Sequence, residues 1–304
     1  MNWEFELIGG PYGGVSEGPV WVGEKLIFTH IPSSTIREYN PETGNISIIR
    51  EKTNYANGLT LDHDNNLYAC EGDARRVVKY SKNETIILAD NYENTSLNIP
   101  NDLVCDRDGD IWFTDPFYEA AAGKWSEDIS NKELTHDSVY KVKTTGNSLG
   151  EISRVTFDTT RPNGLLFSLN YDFLYVAQSG RREDEYRQLR AYKVNPDKSL
   201  GEKEVMHDFG PDRGIDGMCL DIHGNIVATA GWELGGPGPM IYIFSPNGEV
   251  LNSHPVPANR PTNCAFGGEK MSTLYVTTTD GLSLIHISEP TRPRLISYAV
   301  FCLK

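Results

Sequence analysis

A repeat constrains this sequence more than any other feature. Asn57-Gly58-Leu59-Thr60-Leu61-Asp62 runs into Asn66-Leu67-Tyr68-Ala69-Cys70. The pattern returns as Asn101-Asp102-Leu103-Val104-Cys105-Asp106 before Asp110-Ile111-Trp112-Phe113-Thr114. It returns again as Asn163-Gly164-Leu165-Leu166-Phe167-Ser168 before Phe173-Leu174-Tyr175-Val176-Ala177, and as Asp216-Gly217-Met218-Cys219-Leu220-Asp221 before Asn225-Ile226-Val227-Ala228-Thr229. A fifth copy pairs Asn263-Cys264-Ala265-Phe266-Gly267 with Leu274-Tyr275-Val276-Thr277. A divergent copy, Glu17-Gly18-Pro19-Val20-Trp21 with Leu26-Ile27-Phe28-Thr29, comes first in the chain. Units continue into a third run such as Val77-Val78-Lys79-Tyr80 and a weaker fourth such as Thr85-Ile86-Ile87-Leu88. These runs are short, rich in Val, Ile, Leu and Tyr, and separated by turn signals such as Asp108-Gly109 and Pro246-Asn247-Gly248. They show no sustained helical period, so they read as strands.

Four short antiparallel strands repeated six times, at intervals of roughly 40 to 60 residues, predict an all-β, six-bladed β-propeller. A single blade cannot bury both faces, whereas blades stacked in a ring can. The sixth unit keeps only two strands before the chain changes character, so the last blade is expected to be truncated. Glu4-Phe5-Glu6-Leu7-Ile8 is expected to add its outer strand. From Leu282 on, Leu282-Ser283-Leu284-Ile285-His286-Ile287-Ser288-Glu289-Pro290-Thr291-Arg292 resembles a translated sequencing-library adapter, and Ile296-Ser297-Tyr298-Ala299-Val300-Phe301-Cys302-Leu303 resembles the primer that follows it. Residues 1–281 are therefore read as the propeller domain and 282–304 as an artefact. The alternation in Leu282-Ser283-Leu284-Ile285-His286-Ile287 fits the missing third strand.

Charge narrows the partners. The 304 residues carry a net charge of −14, which repels a phosphate backbone and argues against nucleic acid. No apolar run of about 18 residues exists, so no membrane span is expected. The first residues lack a basic region followed by an apolar stretch, so no signal peptide is visible and a cytoplasmic monomer or small homo-oligomer is expected. Cys70, Cys105, Cys219 and Cys264 sit singly in apolar runs without a CxxC pair and read as buried free thiols.

In a propeller the innermost strand of each blade borders the central channel, and the residue at its start points inward. Those positions are Glu17, Asn57, Asn101, Asn163, Asp216 and Asn263. Asn-Gly and Asp-Gly favour turns, which accounts for any one of them. It does not account for six oxygen-bearing side chains in equivalent register, nor for Glu17. A ring of carbonyl and carboxylate oxygens suits a hard cation, and Glu17 with Asp216 would neutralise a divalent one. Calcium is the first choice, with magnesium, manganese or zinc as alternatives; the lack of His and Cys donors disfavours a typical zinc site.

Six motifs then resemble one family. They are Ser16-Glu17-Gly18-Pro19-Val20-Trp21, Pro100-Asn101-Asp102, Phe113-Thr114-Asp115-Pro116, Arg161-Pro162-Asn163-Gly164-Leu165, Gly214-Ile215-Asp216-Gly217-Met218 and Pro261-Thr262-Asn263-Cys264-Ala265-Phe266-Gly267-Gly268. Together, across 3–281, they resemble the gluconolactonase/regucalcin (senescence marker protein) family. The resemblance implies a metal held by Glu17, Asn163 and Asp216, and hydrolysis of small sugar-type lactones. Asn101 matches a position that touches substrate in sugar lactonases and ligates calcium in the related diisopropylfluorophosphatase. Ile99 stands where regucalcin has an arginine, which counts against an identical sugar specificity.

The mechanism expected from these residues is polarisation of the lactone carbonyl by the cation, with Asp216 as general base toward water and Asn101 holding a substrate hydroxyl or the ring oxygen. An insertion at 117–137 carries Tyr118, Glu119 and Trp125. It reads either as a lid, which would give Tyr118 a substrate contact, or as a solvated loop. Arg181-Arg182-Glu183-Asp184-Glu185 reads as a solvated run, and His30 and His63 as ordinary surface histidines. No GxSxG elbow is present, which disfavours a serine esterase. The rival readings are a phosphotriesterase-like hydrolase, a non-catalytic calcium-binding propeller and a strictosidine-synthase-like enzyme, because propellers host many functions.

Overall fold

The computed structural model describes residues 3–82, 84–279 and 284–288. They form an all-β propeller fold whose helical content is four short 3-10 turns. Six antiparallel sheets have four strands each, and a small two-stranded ribbon lies at 91–96. Sheets one to five are each built from consecutive strands, at 16–51, 56–89, 103–154, 162–208 and 215–255. The sixth joins Pro261–Gly267 and Thr273–Thr278 to Leu284–Ser288 and then to Glu4–Gly9 on its outer edge.

That last sheet answers two expectations. Glu4–Gly9 supplies the outer strand, pairing antiparallel with Leu284–Ser288. The tail segment Leu284–Ser288 takes the third place, so the sixth sheet is completed to four strands rather than left short. The rest of the segment read as an artefact lies outside the described residues.

Every sheet is buried on both faces because neighbouring residues of a strand serve different neighbours. Leu26 and Phe28 of sheet one pack with Tyr275 of sheet six, while Ile27 between them packs with Leu59, Ala69 and Val78 of sheet two. Ile111 and Phe113 of sheet three face Tyr68 and Val77 of sheet two, and Trp112 faces Phe167 and Leu174 of sheet four. Ile226 and Ala228 of sheet five face sheet four, and Val227 faces Phe266 and Val276 of sheet six. The two-residue period thus divides each strand between two interfaces, and the core is a set of apolar layers between sheets. The innermost strands neighbour one another in a closed cycle, from sheet one through sheet six and back to one.

Candidate functional site

The inner strands present their functional residues through irregular pairing. In sheet two, Ala56 pairs with Glu71 and Leu59 with Ala69, so Asn57 and Gly58 together oppose one residue. The same two-against-one irregularity places Asn163-Gly164 in sheet four and Asp216-Gly217 in sheet five. Register also breaks after Glu17 and before Asn263. A bulge adds a residue, bends the strand and re-aims a side chain. Glycine is required in the second place: a Cβ on Gly217 would overlap the Asn263 amide, and one on Gly164 would run into the Asp216 carbonyl.

Threonines hold this geometry, and sequence reasoning missed them. The Thr229 hydroxyl accepts from Gly217 N at 3.1 Å and donates to Thr262 O of the next sheet at 2.9 Å. Thr114 accepts from Asp102 N at 3.1 Å, and Thr277 from Asn263 N at 3.2 Å. Thr29 donates to Asn57 O at 2.8 Å and Thr262 to Ser16 O at 2.6 Å, again across sheets. Thr29, Thr114, Thr229 and Thr277 recur late in the second strand of their units, a signal present in the repeat.

Most of the predicted residues converge. Glu17, Asn101, Asn163, Asp216 and Asn263 are all buried, as is Asp102. Asn163 Nδ2 donates to Asp216 Oδ1 at 2.7 Å and lies 3.5 Å from the Tyr118 hydroxyl. The other Asp216 oxygen is paired with Arg213. Burial, then the charges of Asp216 and Asp102, push the Glu17 carboxyl well above the usual carboxylate range, and Asn263 hydrogen-bonds to it. Asp102, which sequence reasoning passed over, is raised to about 7, chiefly by burial, with Asp216 also contributing. Three carboxyl groups therefore share one poorly solvated space. The Asn101 amide has no hydrogen-bond partner among the described residues, although its backbone carbonyl accepts from Gly58 N at 2.8 Å.

Fit to a cation can be judged from these atoms. Asn57 Oδ1 is buried with no hydrogen-bond partner. Glu17 is destabilised as an anion by two like charges, which a cation would relieve. The donors are hard oxygens. No group of three or more His, Cys, Asp and Glu arranged to hold a metal occurs among the described residues, so a cation here would depend on asparagine oxygens beside the carboxylates. Asn163 would then have to turn its oxygen, not its nitrogen, toward Asp216. The residues fit an oxygen-coordinated divalent ion on those terms.

Other expectations change. The 117–137 segment is only partly a solvated loop: Phe117, Tyr118 and Ala122 are buried and Trp125 Nε1 donates to Asp73 at 3.1 Å, whereas residues 127–131 are exposed. The Tyr118 hydroxyl lies within hydrogen-bonding distance of the Arg161 and Ser179 carbonyls, at 3.2 and 3.3 Å, so it is tied to the scaffold beside Asn163. The 181–185 run is also partly built in, because Glu185 binds buried Arg161 at 2.9 Å and caps two backbone N–H groups. His30 is buried at 2% exposure rather than a surface residue, since it packs beneath Tyr12 and bonds Ser33 at 2.6 Å. Cys70, Cys105, Cys219 and Cys264 form no disulfide among the described residues, and the sulfurs of Cys219 and Cys264 lie 3.5 Å apart. Below the ring, a cavity of about 1280 Å³ continues along the later residues of the inner strands, with Gly18, Asp102 and Asn263 among its walls.

Comparison with known proteins agrees with this architecture. Residues 15–280 match the family described as the SMP-30/Gluconolactonase/LRE-like region. A gluconolactonase from Zymomonas mobilis subsp. mobilis is 29% identical over 290 residues, covering 87% of this chain and 76% of that protein. The solved structure of a gluconolactonase from Xanthomonas campestris superposes with a TM-score of 0.80 at 26% identity, covering 95% of this chain and 90% of the other. A calcium-binding protein, regucalcin, from Agrobacterium tumefaciens shares the fold with a TM-score of 0.73 at 17% identity, covering 97% and 98%. With a family match spanning nearly the whole propeller, the chain belongs to the SMP-30/gluconolactonase/LRE-like family.

Proposed function

We propose that the protein is a lactonase: a six-bladed propeller that opens small sugar-type lactones with the help of one divalent cation, calcium by preference. The observation that carries this reading is the cluster of Glu17, Asn163 and Asp216 at the inner-strand bulges, within a family whose relatives include gluconolactonases. Glu17, Asn163 and Asp216 would hold the ion, with Asn101 as a fourth donor or a substrate contact. When bound, the ion supplies Lewis-acid polarisation of the ester carbonyl.

The remaining work falls to side chains. Asp216 takes the proton from the attacking water as the new C–O bond forms, and the ring C–O bond then breaks with return of a proton to the departing alkoxide. Asn101, with a free amide, orients a ring hydroxyl or the ring oxygen. Tyr118, fixed by two main-chain carbonyls, walls the pocket and positions Asn163. Calcium is preferred because the donors are all oxygen and a calcium-binding propeller shares the fold. Two rivals stay distinct in outcome: a phosphotriesterase-like enzyme would hydrolyse a fluorophosphate instead, and a purely calcium-binding propeller would turn over nothing.

The test is to strip the metal with a chelator, titrate calcium back, and follow glucono-1,5-lactone hydrolysis by proton release. Activity should vanish and return in proportion to bound calcium. Asp216→Asn should lower turnover at least a hundredfold, roughly what a positioned general base contributes. Full activity in the chelated protein or in Asp216→Asn would overturn the mechanism.

A further inference from the structure

The rim above the candidate site is basic, in a chain whose net charge is −14. Three arginines reach it from three sheets. Arg213 and Arg260 each stand just before an inner strand, those of sheets five and six, and Arg181 lies in the loop after Phe173–Ser179 of sheet four. Arg213 is paired with Asp216 and donates to Gly231 O at 3.1 Å. The Arg181 guanidinium lies 4.4 Å over the ring of Tyr118, the residue that meets Asn163. Arg260 Nε is buried with no hydrogen-bond partner.

The pairing pattern marks these arginines out. Arg161, close by on sheet four, is neutralised by Glu119 and Glu185 at 2.9 Å each. Arg181 and Arg260 have no ion-pair partner among the described residues. Burial, and then Arg213 and Arg181 as like charges, lower the affinity of Arg260 for its proton, while Asp216 and Glu17 act on it from a distance as opposite charges without forming an ion pair. A guanidinium with a buried, unpartnered donor, as at Arg260, is costly unless an anion completes it; Arg181, exposed, adds charge beside it. On the lactonase reading, Asp216 shares its charge with the cation, so Arg213 is less fully neutralised by it.

We propose that Arg181, Arg213 and Arg260 form a subsite for an anionic substituent (phosphate or carboxylate) on the sugar ring, so that the substrate is an acidic sugar lactone rather than a neutral one. Guanidinium groups suit such oxyanions, offering forked N–H donors and a permanent charge. The identity of the substrate rests on the lactonase reading; the anion subsite is tested separately from it.

The experiment is calorimetric binding of unreactive ring compounds to the calcium-loaded protein: glucose, glucose 6-phosphate and glucuronate. At least one anionic sugar should bind about tenfold or more tightly than glucose, the range of one or two charge-assisted hydrogen bonds. That advantage should shrink about tenfold in Arg260→Gln and in Arg181→Gln. Arg181 is exposed, so its variant serves if Arg260→Gln does not fold. The phosphate and carboxylate arms identify which anion is preferred. Equal binding of glucose and both anions, or a preference unchanged by both substitutions, overturns the subsite. Hydrolysis of neutral glucono-1,5-lactone with no anion preference would remove the subsite and leave the lactonase; an arginine-dependent preference without lactone turnover would do the reverse.

Discussion

Glu17 is buried at 5% exposure beside two other carboxyl groups, an arrangement that opposes its own ionisation. A residue kept at such a cost is expected to serve binding rather than folding. Glu17→Gln removes one of the repelling charges and keeps the shape. Without metal, this variant should melt above the wild type at neutral pH, by about 2–4 °C for each kcal/mol recovered. Its calcium affinity should fall by about tenfold or more, because ligand charge sets affinity in oxygen sites. A variant that binds calcium normally would show that Glu17 is not a ligand. Asp115 carries a different prediction. It is fully buried; Oδ2 accepts from Asn98 N at 2.8 Å and Oδ1 has no partner. Burial, assisted by Asp137, pushes its carboxyl well above the usual range. Because the folded-state value is raised, the stability linked to Asp115 is full below about pH 4, where the unfolded chain is also protonated, and is lost as pH rises toward the folded value. Asp115→Asn cannot ionise, so it should gain on the wild type as pH goes from about 4 to about 8, by up to about 1.4 kcal/mol per pH unit. Urea unfolding at both ends of that range measures this, and a constant difference would contradict it.

Among the elements, the bulged inner strand is the unit of function. Its Asn-Gly or Asp-Gly pair sits at an irregularity of pairing, and at Asp216-Gly217 a threonine one strand outward, Thr229, accepts the Gly217 N–H. Thr229→Val keeps the shape but leaves Gly217 N–H without that acceptor and cuts the link to Thr262 O. A buried donor left unmade costs about 1–3 kcal/mol, so denaturant unfolding should shift by that amount. A neutral result would mean that the bulge does not need its threonine. Much of this element was legible in the chain. Short runs rich in Val, Ile, Leu and Tyr between turn signals announced strands, and Asn57-Gly58, Asn163-Gly164 and Asp216-Gly217 announced the inner ends. The threonines were visible as repeats, but their role was not, because each bonds a residue 12 or more positions away. Nor could Asp102 be singled out: what raises it is burial beside Asp216, 114 positions along the chain, and pattern carries no such information.

For the whole molecule, closure into a cycle does what no single sheet could. It buries both faces of every sheet and brings together side chains from opposite ends of the sequence, Glu17 and Asn263 among them. The ring was readable because six units repeat a pattern that only mutual stacking can bury. The arginine rim and the Cys219–Cys264 contact were not readable, since both depend on which sheets become neighbours. The central claim is that this closure builds a cage for one divalent cation. The most direct measurement is a crystal structure of the protein grown with calcium and phased to reveal the ion. It should show one calcium on the axis, about 2.3–2.6 Å from side-chain oxygens of Glu17, Asn163 and Asp216. An axis without calcium, with Asn163 and Arg213 still paired to Asp216, would contradict it.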